Sequence, residues 1–293
     1  MEKSSVKTVG ILQNKYKILW TIVLLPFITV LLIFFLINVG AFGFMPSFEH
    51  LENPETNLAT EVYSSDQVLL GKFFKENRTV VEFKEVSPNV LNALIATEDI
   101  RFYKHSGIDT RAMLRVIGGL LTLNKKGGGS TITQQLAKNL FPRKRKRNML
   151  SMIIIKLKEW STAVKLEKNY TKQEILAMYL NTVDFGSQAY GINSAARTFF
   201  DTTPDSLTLE QASTLIGVLK APTRYSPALN KENSFGRRNT VLNQIEKYQS
   251  KLQNFHGYKP QPETFYDSLQ QIPIKLNYSV QSHKKVLAAE FIP

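Results

Sequence analysis

Two glutamates stand where a helical pattern calls for an apolar side chain. Leu91, Leu94 and Ile95 follow the i, i+3, i+4 spacing of a core-facing stripe, and its next member at i+7 is Glu98, with Phe102 one turn beyond. Met152, Ile155, Ala163 and Leu166 line a second stripe whose middle member is Glu159. A carboxylate buried without a partner is costly, so it pairs, takes up a proton or performs chemistry. Either glutamate alone is equally explained by a helix that ends there or turns its edge to water. Lys156, three residues before Glu159, also offers a structural ion pair. Taken together, two such carboxylates suggest acid–base work on a sugar.

The charge balance separates two forms of that chemistry. The 293-residue chain carries 37 Lys and Arg against 24 Asp and Glu, a formal net charge of +13. A hydrolase must protonate a poor alkoxide leaving group. A transferase acting on a diphosphate-linked sugar has an anionic leaving group already; it needs one base for the acceptor hydroxyl and cations aimed at the diphosphate. A basic chain fits the second case better. With no cysteine in the sequence, disulfides, thiolate metal sites and cysteine nucleophiles are excluded.

Between the glutamates lies GGGSTITQQLAKN, from Gly127 to Asn139. Three glycines permit close approach, and Ser130 or Thr131 can cap the helix that follows. On that helix Ile132, Leu136 and Leu140 face one way, while Thr131, Gln134, Gln135 and Lys138 share the other. The second face is a hydrogen-bonding row ending in a cation, suited to hydroxyls and a phosphate, although a solvated polar face has the same pattern. The segment lacks the Gly-Lys-Ser/Thr ending of a P-loop.

The elements that must position these residues read as mainly α. Ser87-Pro88 starts a helix, Asp109 caps another running towards Leu123, and Thr171 with Glu174 and Thr208 with Gln211 form capping boxes. A further helix is expected from about Ser234 to Tyr248. Ahead of them, EVYSSDQVLLGKFF predicts two strands about a turn, and Thr79 to Phe83 a third. The last 40 residues contain Pro260, Pro262 and Pro273 with a possible strand at Ile274 to Leu276. The division expected is a tail at 1–17, an anchor at 18–40, a linker and small β element at 41–86, a catalytic domain at 87–250 and an extension at 251–293.

From Ile18 to Gly40 there is no charged residue. About 20 apolar residues cross a bilayer as a helix, so this run predicts one N-terminal transmembrane signal anchor. Lys3, Lys7, Lys15 and Lys17 precede it, which by the positive-inside rule leaves residues 1–17 in the cytoplasm and the rest exported. The cytoplasmic membrane is the expected location. Export turns the run Arg143-Lys144-Arg145-Lys146-Arg147 away from nucleic acid and towards lipid headgroups, or leaves it a solvated loop.

As strings, these segments are more specific than their physics. EDIRFYKHSG, then GGGSTITQQLAKN, LKEW, YTKQEILAMYLNTVDFG, AYGINSAARTFF, LTLEQASTLIGVLKAPTRYSPALN and RRNTVLNQI resemble, in order, the peptidoglycan glycosyltransferase family. That family comprises monofunctional transglycosylases and the glycosyltransferase halves of bifunctional class A penicillin-binding proteins. The resemblance covers about residues 60 to 250.

It implies a lysozyme-like helical domain beside the membrane that polymerises lipid II into β-1,4 glycan with inversion. Glu98 matches the general base. Glu159 matches the second glutamate, which assists diphosphate departure directly or through a divalent metal such as Mg or Mn; no cofactor is otherwise required. Arg115, Lys138 and Lys156 match phosphate-binding cations, and Thr131, Gln134 and Asn139 match sugar-side positions. His105 matches a family position for which a structural hydrogen bond is expected. Lipid II, the growing lipid-linked glycan, the membrane and other wall-synthesis proteins are the implied partners, with no nucleic acid.

Three positions depart from the family pattern. Ile155 stands where an arginine is usual, Ala177 replaces a glutamate and Asp184 a tyrosine. The missing arginine removes one cation from the donor site, for which Arg147 or Lys158 could substitute. IPIKLNYSVQSHKKVLAAEF resembles the linker that leads bifunctional members into a transpeptidase domain, so the chain is read as one that lost that half or as a shortened one. A lytic hydrolase on the same fold and a non-catalytic scaffold remain the rival readings.

Overall fold

The computed structural model describes residues 2–41, 60–63, 69–73, 80–122, 128–140, 148–253, 255 and 257–277, with some side chains of the N-terminal helix and all those of the two strands outside the described set. The glycine at 127, the basic run at 143–147 and the part of the C-terminal extension beyond residue 277 therefore lie outside the described residues.

The architecture is mainly helical. An N-terminal helix α1 (Glu2–Asn38) is followed by an antiparallel hairpin, β1 (Thr60–Tyr63) and β2 (Leu69–Phe73), with Thr60 opposite Phe73 and an irregularity after Val62. The helices of the main body are α2 (Pro88–Glu98), α3 (Thr110–Leu121), α4 (Ile132–Asn139), α5 (Met149–Asn169), α6 (Lys172–Thr182) and α7 (Ile192–Phe200). They continue with α8 (Leu209–Val218), α9 (Lys231–Lys247), the short α10 (Gln249–Leu252) and α11 (Glu263–Gln271).

The expected caps are present. Ser87 Oγ accepts from the Asn89 amide with Pro88 at the first helical position. Asp109 Oδ1 accepts from Ala112 N at 3.1 Å, and both capping boxes form. Each such cap contributes about 1 kcal/mol by satisfying amides that the helix itself cannot.

The third strand expected at 79–83 is not formed. Residues 80–82 run without a ladder into a 3-10 turn, Phe83–Glu85. Val81 explains why: its N–H donates to Asn181 Oδ1 at 3.0 Å and its carbonyl accepts from Asn181 Nδ2 at 2.9 Å. One asparagine side chain on α6 supplies the donor and acceptor that a neighbouring strand would have given. The segment at Ile274 to Leu276 is likewise extended but unladdered, with the following Asn277 amide donating to Phe199 O. Helix α1 runs from Glu2 through the uncharged stretch that begins at Ile18.

Helix α2 sits at the centre. Val90, Leu91, Ala93, Leu94, Ile95 and Ala96 are all buried, and each large apolar side chain among them contributes about 1.5–3 kcal/mol. It packs against α8 and α9; α4 packs against α5 and α6; α11 lies on α9, and α1 touches α5. Among the described residues no helix is long and apolar enough to cross a membrane.

Candidate active site

The apolar stripe of α2 ends as the spacing requires. Leu94 and Ile95 are fully buried, and Glu98, the last residue of the helix, is half-buried at its mouth. The next residue, Asp99, turns inward. Its carboxylate accepts from the Ile132 amide at 3.1 Å and pairs with His105 Nε2 at 3.0 Å. One short acidic pair thus has two roles: Glu98 stays half-exposed, while Asp99 locks the turn after it to the start of α4. The hydrogen bond expected for His105 is this one.

Helix α4 is the hub. Gln135 Nε2 donates to Glu98 Oε2 at 2.9 Å, and Gln135 Oε1 accepts from the Tyr179 hydroxyl at 3.1 Å. Tyr179 lies on α6, is 1% exposed, and has its phenol pushed well above the ordinary range by burial and by the charge of Glu98. At the other end of the hub Thr131 caps α4 by accepting from Gln134 N. Thr131 Oγ1 and Gln134 Nε2 both donate to the Gly107 carbonyl, at 2.7 and 3.2 Å. Gly107 has φ +88°, and a Cβ there would meet the Ala163 backbone at 2.8 Å, so α5 passes hard against this turn.

Glu159 is 6% exposed. The N-terminal part of its stripe is open (Met152 is 57% exposed), whereas Ala163 and Leu166 are buried, so Glu159 stands where α5 enters the body. Lys156 Nζ lies 2.9 Å from Glu159 Oε2 and donates also to Ser130 Oγ at 3.0 Å. The ion pair read from their spacing is therefore formed, and it ties Glu159 to the loop before α4. Lys138 and Asn139 are exposed at the end of α4, and Arg115 is exposed on α3. Burial lowers the pKa of Lys158, a half-buried cation one residue before Glu159.

Some assignments change with these contacts. Thr131 and Gln134 are buried and engaged with Gly107, so they shape the loop rather than present free groups to a sugar. Gln135 is directed at Glu98. Lys138, Asn139 and Arg115 keep the exposure that substrate binding requires. Among the described residues no three His, Cys, Asp or Glu side chains group as metal ligands. The Lys156 ammonium sits on Glu159.

Several supporting residues were missed from the sequence. Thr133 donates to Glu167 at 2.6 Å, Glu167 pairs with Lys172 at 2.7 Å, and Lys172 donates to the His105 carbonyl at 2.7 Å. This chain joins α4, α5 and α6 behind Asp99. Tyr179 carried a signal only as an aromatic on a buried face, which reads as core. Asp184, one of the departures, accepts from the Gly186 amide at 2.7 Å and opens the turn in which Ser187 and Gln188 take positive φ. Ile155 is half-buried and supplies no charge.

Glu98 is thus tied to α4 through Gln135, and Glu159 to the loop before it through Lys156 and Ser130. The family model for transglycosylases matches residues 66–246, and the chain belongs to that family. It is 35% identical over 202 residues to penicillin-binding protein 1A of Escherichia coli, covering 69% of this chain and 23% of the relative. It is 41% identical over 198 residues to penicillin-binding protein 1A/1B of Bacillus subtilis, covering 66% and 21%. The crystal structure of penicillin-binding protein 1A from Haemophilus influenzae is similar at 21% identity and a TM-score of 0.43, covering 80% of this chain and 24% of that one. The chain thus spans a quarter or less of the length of these relatives.

Proposed function

We propose that this chain is a peptidoglycan glycosyltransferase that extends glycan strands from lipid II, with Glu98 as general base. The observation that carries the reading is the placement of Glu98: half-buried at the end of the central helix, accepting from Gln135, and linked through α4 to the Lys156–Glu159 pair. In this mechanism Glu98 takes the proton from the acceptor 4-hydroxyl as that oxygen attacks the anomeric carbon of the donor. The C–O bond to the diphosphate breaks with inversion, and the lipid diphosphate leaves as an anion. Lys138 and Arg115, exposed, and Lys156, beside Glu159, supply positive charge for that anion. Glu159 holds Lys156 in place beside Ser130.

The reading includes a membrane anchor. Helix α1 contains the uncharged run from Ile18, and its large apolar side chains at Ile18, Leu19, Trp20, Ile22, Val23, Leu24, Leu25, Ile28, Leu31, Leu32 and Phe35 are 44–66% exposed. Apolar side chains exposed along a helix in this way are what a bilayer accepts and water does not. Met149, Met152 and Ile153 on α5 and Leu114 on α3 are exposed as well. With the anchor in the cytoplasmic membrane, the catalytic body stands on its outer side, within reach of a lipid-linked sugar. Other wall-synthesis proteins are proposed partners there.

One observation favours a second reading, a non-catalytic scaffold: Ile155 withdraws a cation from the donor side. Incubation of the detergent-solubilised chain with lipid II separates the two. Polymer formation supports the transferase. Its absence where related enzymes polymerise supports the scaffold, and release of fragments from purified wall without lipid II consumption supports a hydrolase.

A further inference from the structure

The family match ends at residue 246, but the core does not. Leu252, Tyr266 and Leu269 are buried in the same apolar cluster as α2, and Phe255, Tyr258, Phe265, Ile274 and Leu276 pack against it. This strap is anchored at both ends. Arg238, 1% exposed, donates to the carbonyls of Leu269, Gln270 and Ile272 at 3.2, 3.2 and 2.6 Å, closing the C-terminus of α11 onto α9. The Tyr258 hydroxyl bonds Gln249 at 3.0 Å and pairs with Tyr266 at 2.9 Å.

Near its beginning the strap passes both ends of the helix that carries Glu98. Gly257, at φ +65°, lies beside Pro88, the first residue of α2; a Cβ there would stand 4.0 Å from Pro88 Cγ. The Phe255 ring stacks on Tyr103 with centroids 4.8 Å apart and planes at 21°. Tyr103 belongs to the turn that follows Glu98. Its neighbour Phe102 meets Tyr103 edge-on at 5.2 Å and His105 at 6.3 Å, and His105 is the residue paired with Asp99. The stack therefore bears on the turn that follows Glu98 and holds Asp99 against His105.

We propose that Phe255 is a positioning residue for the transfer reaction, holding the turn after Glu98 through its stack on Tyr103, so that the catalytic unit includes residues 249–277. The inference rests on the reading of Glu98 as the base. Phe255 touches no substrate group in this account. It acts on the geometry of the base, and a displacement of under an ångström there is enough to slow transfer.

The test uses the full chain with lipid II and the variants Phe255→Leu, Phe255→Ala and Phe255→Tyr. Phe255→Leu keeps apolar burial and removes the stack. The expected result is a kcat about tenfold lower with KM within about twofold of the parent, and recovery in Phe255→Tyr. Amide exchange should rise at Phe102 and Lys104, whose N–H groups bond Asp99 O and Arg101 O, and stay unchanged in α8. An unchanged kcat in folded Phe255→Leu overturns the proposal, as does a loss that Phe255→Tyr shares. A uniform rise in exchange across the domain also overturns it, by making the role one of global stability. Failure of the parent chain to polymerise lipid II is a different outcome: it removes the transferase reading itself.

Discussion

Gln135 connects Glu98 to Tyr179 with a fixed polarity: its amide nitrogen faces the carboxylate and its carbonyl faces the phenol. A buried phenol with a raised pKa stays protonated, so Tyr179 can serve as the donor. That leaves the Gln135 N–H for Glu98 and makes Glu98 the acceptor. The Glu98 carboxylate is thus oriented from α6 by Tyr179, acting through Gln135.

Removal of the Tyr179 hydroxyl tests this orientation. Tyr179→Phe keeps the ring in the core but leaves the Gln135 carbonyl unpartnered, at a stability cost of about 1–2 kcal/mol. The amide is then free to turn, and kcat should fall about tenfold with a smaller change in KM. Steady-state kinetics with a thermal melt checks both, and a variant with parental kcat contradicts the assignment.

Gly107 is the next point of strain. Gly107→Ala combines an unfavourable positive φ with a clash against the backbone of α5, and should destabilise the domain by about 2–4 kcal/mol. Because Thr131 and Gln134 both bond its carbonyl, the loop before α4 should loosen with it. Denaturant unfolding measures the loss; a change under about 0.5 kcal/mol contradicts the packing described.

Lys156→Met removes the partner of a nearly buried carboxylate. The pair is partly open on the lysine side, so the expected loss of stability is modest, about 1–2 kcal/mol, while the loss of activity should exceed a hundredfold because a diphosphate cation goes too. Chelation of divalent ions should leave the parental rate within about twofold, since Glu159 already carries its counter-ion. Equal activity in the variant, or collapse of the parental rate in chelator, contradicts the role given to Lys156.

Alkaline pH offers a test without substitution. Burial raises the Tyr103 phenol to about 12 from its ordinary 10.0, and burial with the charge of Glu98 raises Tyr179 well above its ordinary value. A group whose folded pKa is raised gives stability that is complete below its unfolded value and is lost as pH climbs towards the folded one. Stability should therefore hold to about pH 10 and decline between about 10 and 12. Melts across that range check it, and a flat profile contradicts the burial of these rings.

Much of this arrangement was legible in residue order, for a physical reason. Helix starts are local: Ser87, Asp109, Thr131, Thr171 and Thr208 cap where their spacing says. The two glutamates were conspicuous because they interrupt apolar stripes, a violation visible in one dimension. Partners from distant elements were not. Asn181 substitutes for a strand beside Val81 from 100 positions away, and no local pattern announces it. Thr131 and Gln134 looked like a sugar-facing row because polarity shows which face is hydrophilic, not whether a backbone carbonyl such as that of Gly107 already occupies it. The strap was illegible for the same reason: its prolines suggested irregular chain, while its value lies in where Phe255 meets Tyr103 and where Arg238 of α9 holds its carbonyls.

Proton transfer by one carboxylate at the end of α2 is the central step of the proposed reaction. The most direct measurement is polymer formation from lipid II by the parent and by Glu98→Gln, with melting temperatures taken on the same samples. The account predicts polymer from the parent, a loss of at least about a thousandfold in the variant, and melting points within a few degrees of each other. Comparable polymer from Glu98→Gln would contradict it.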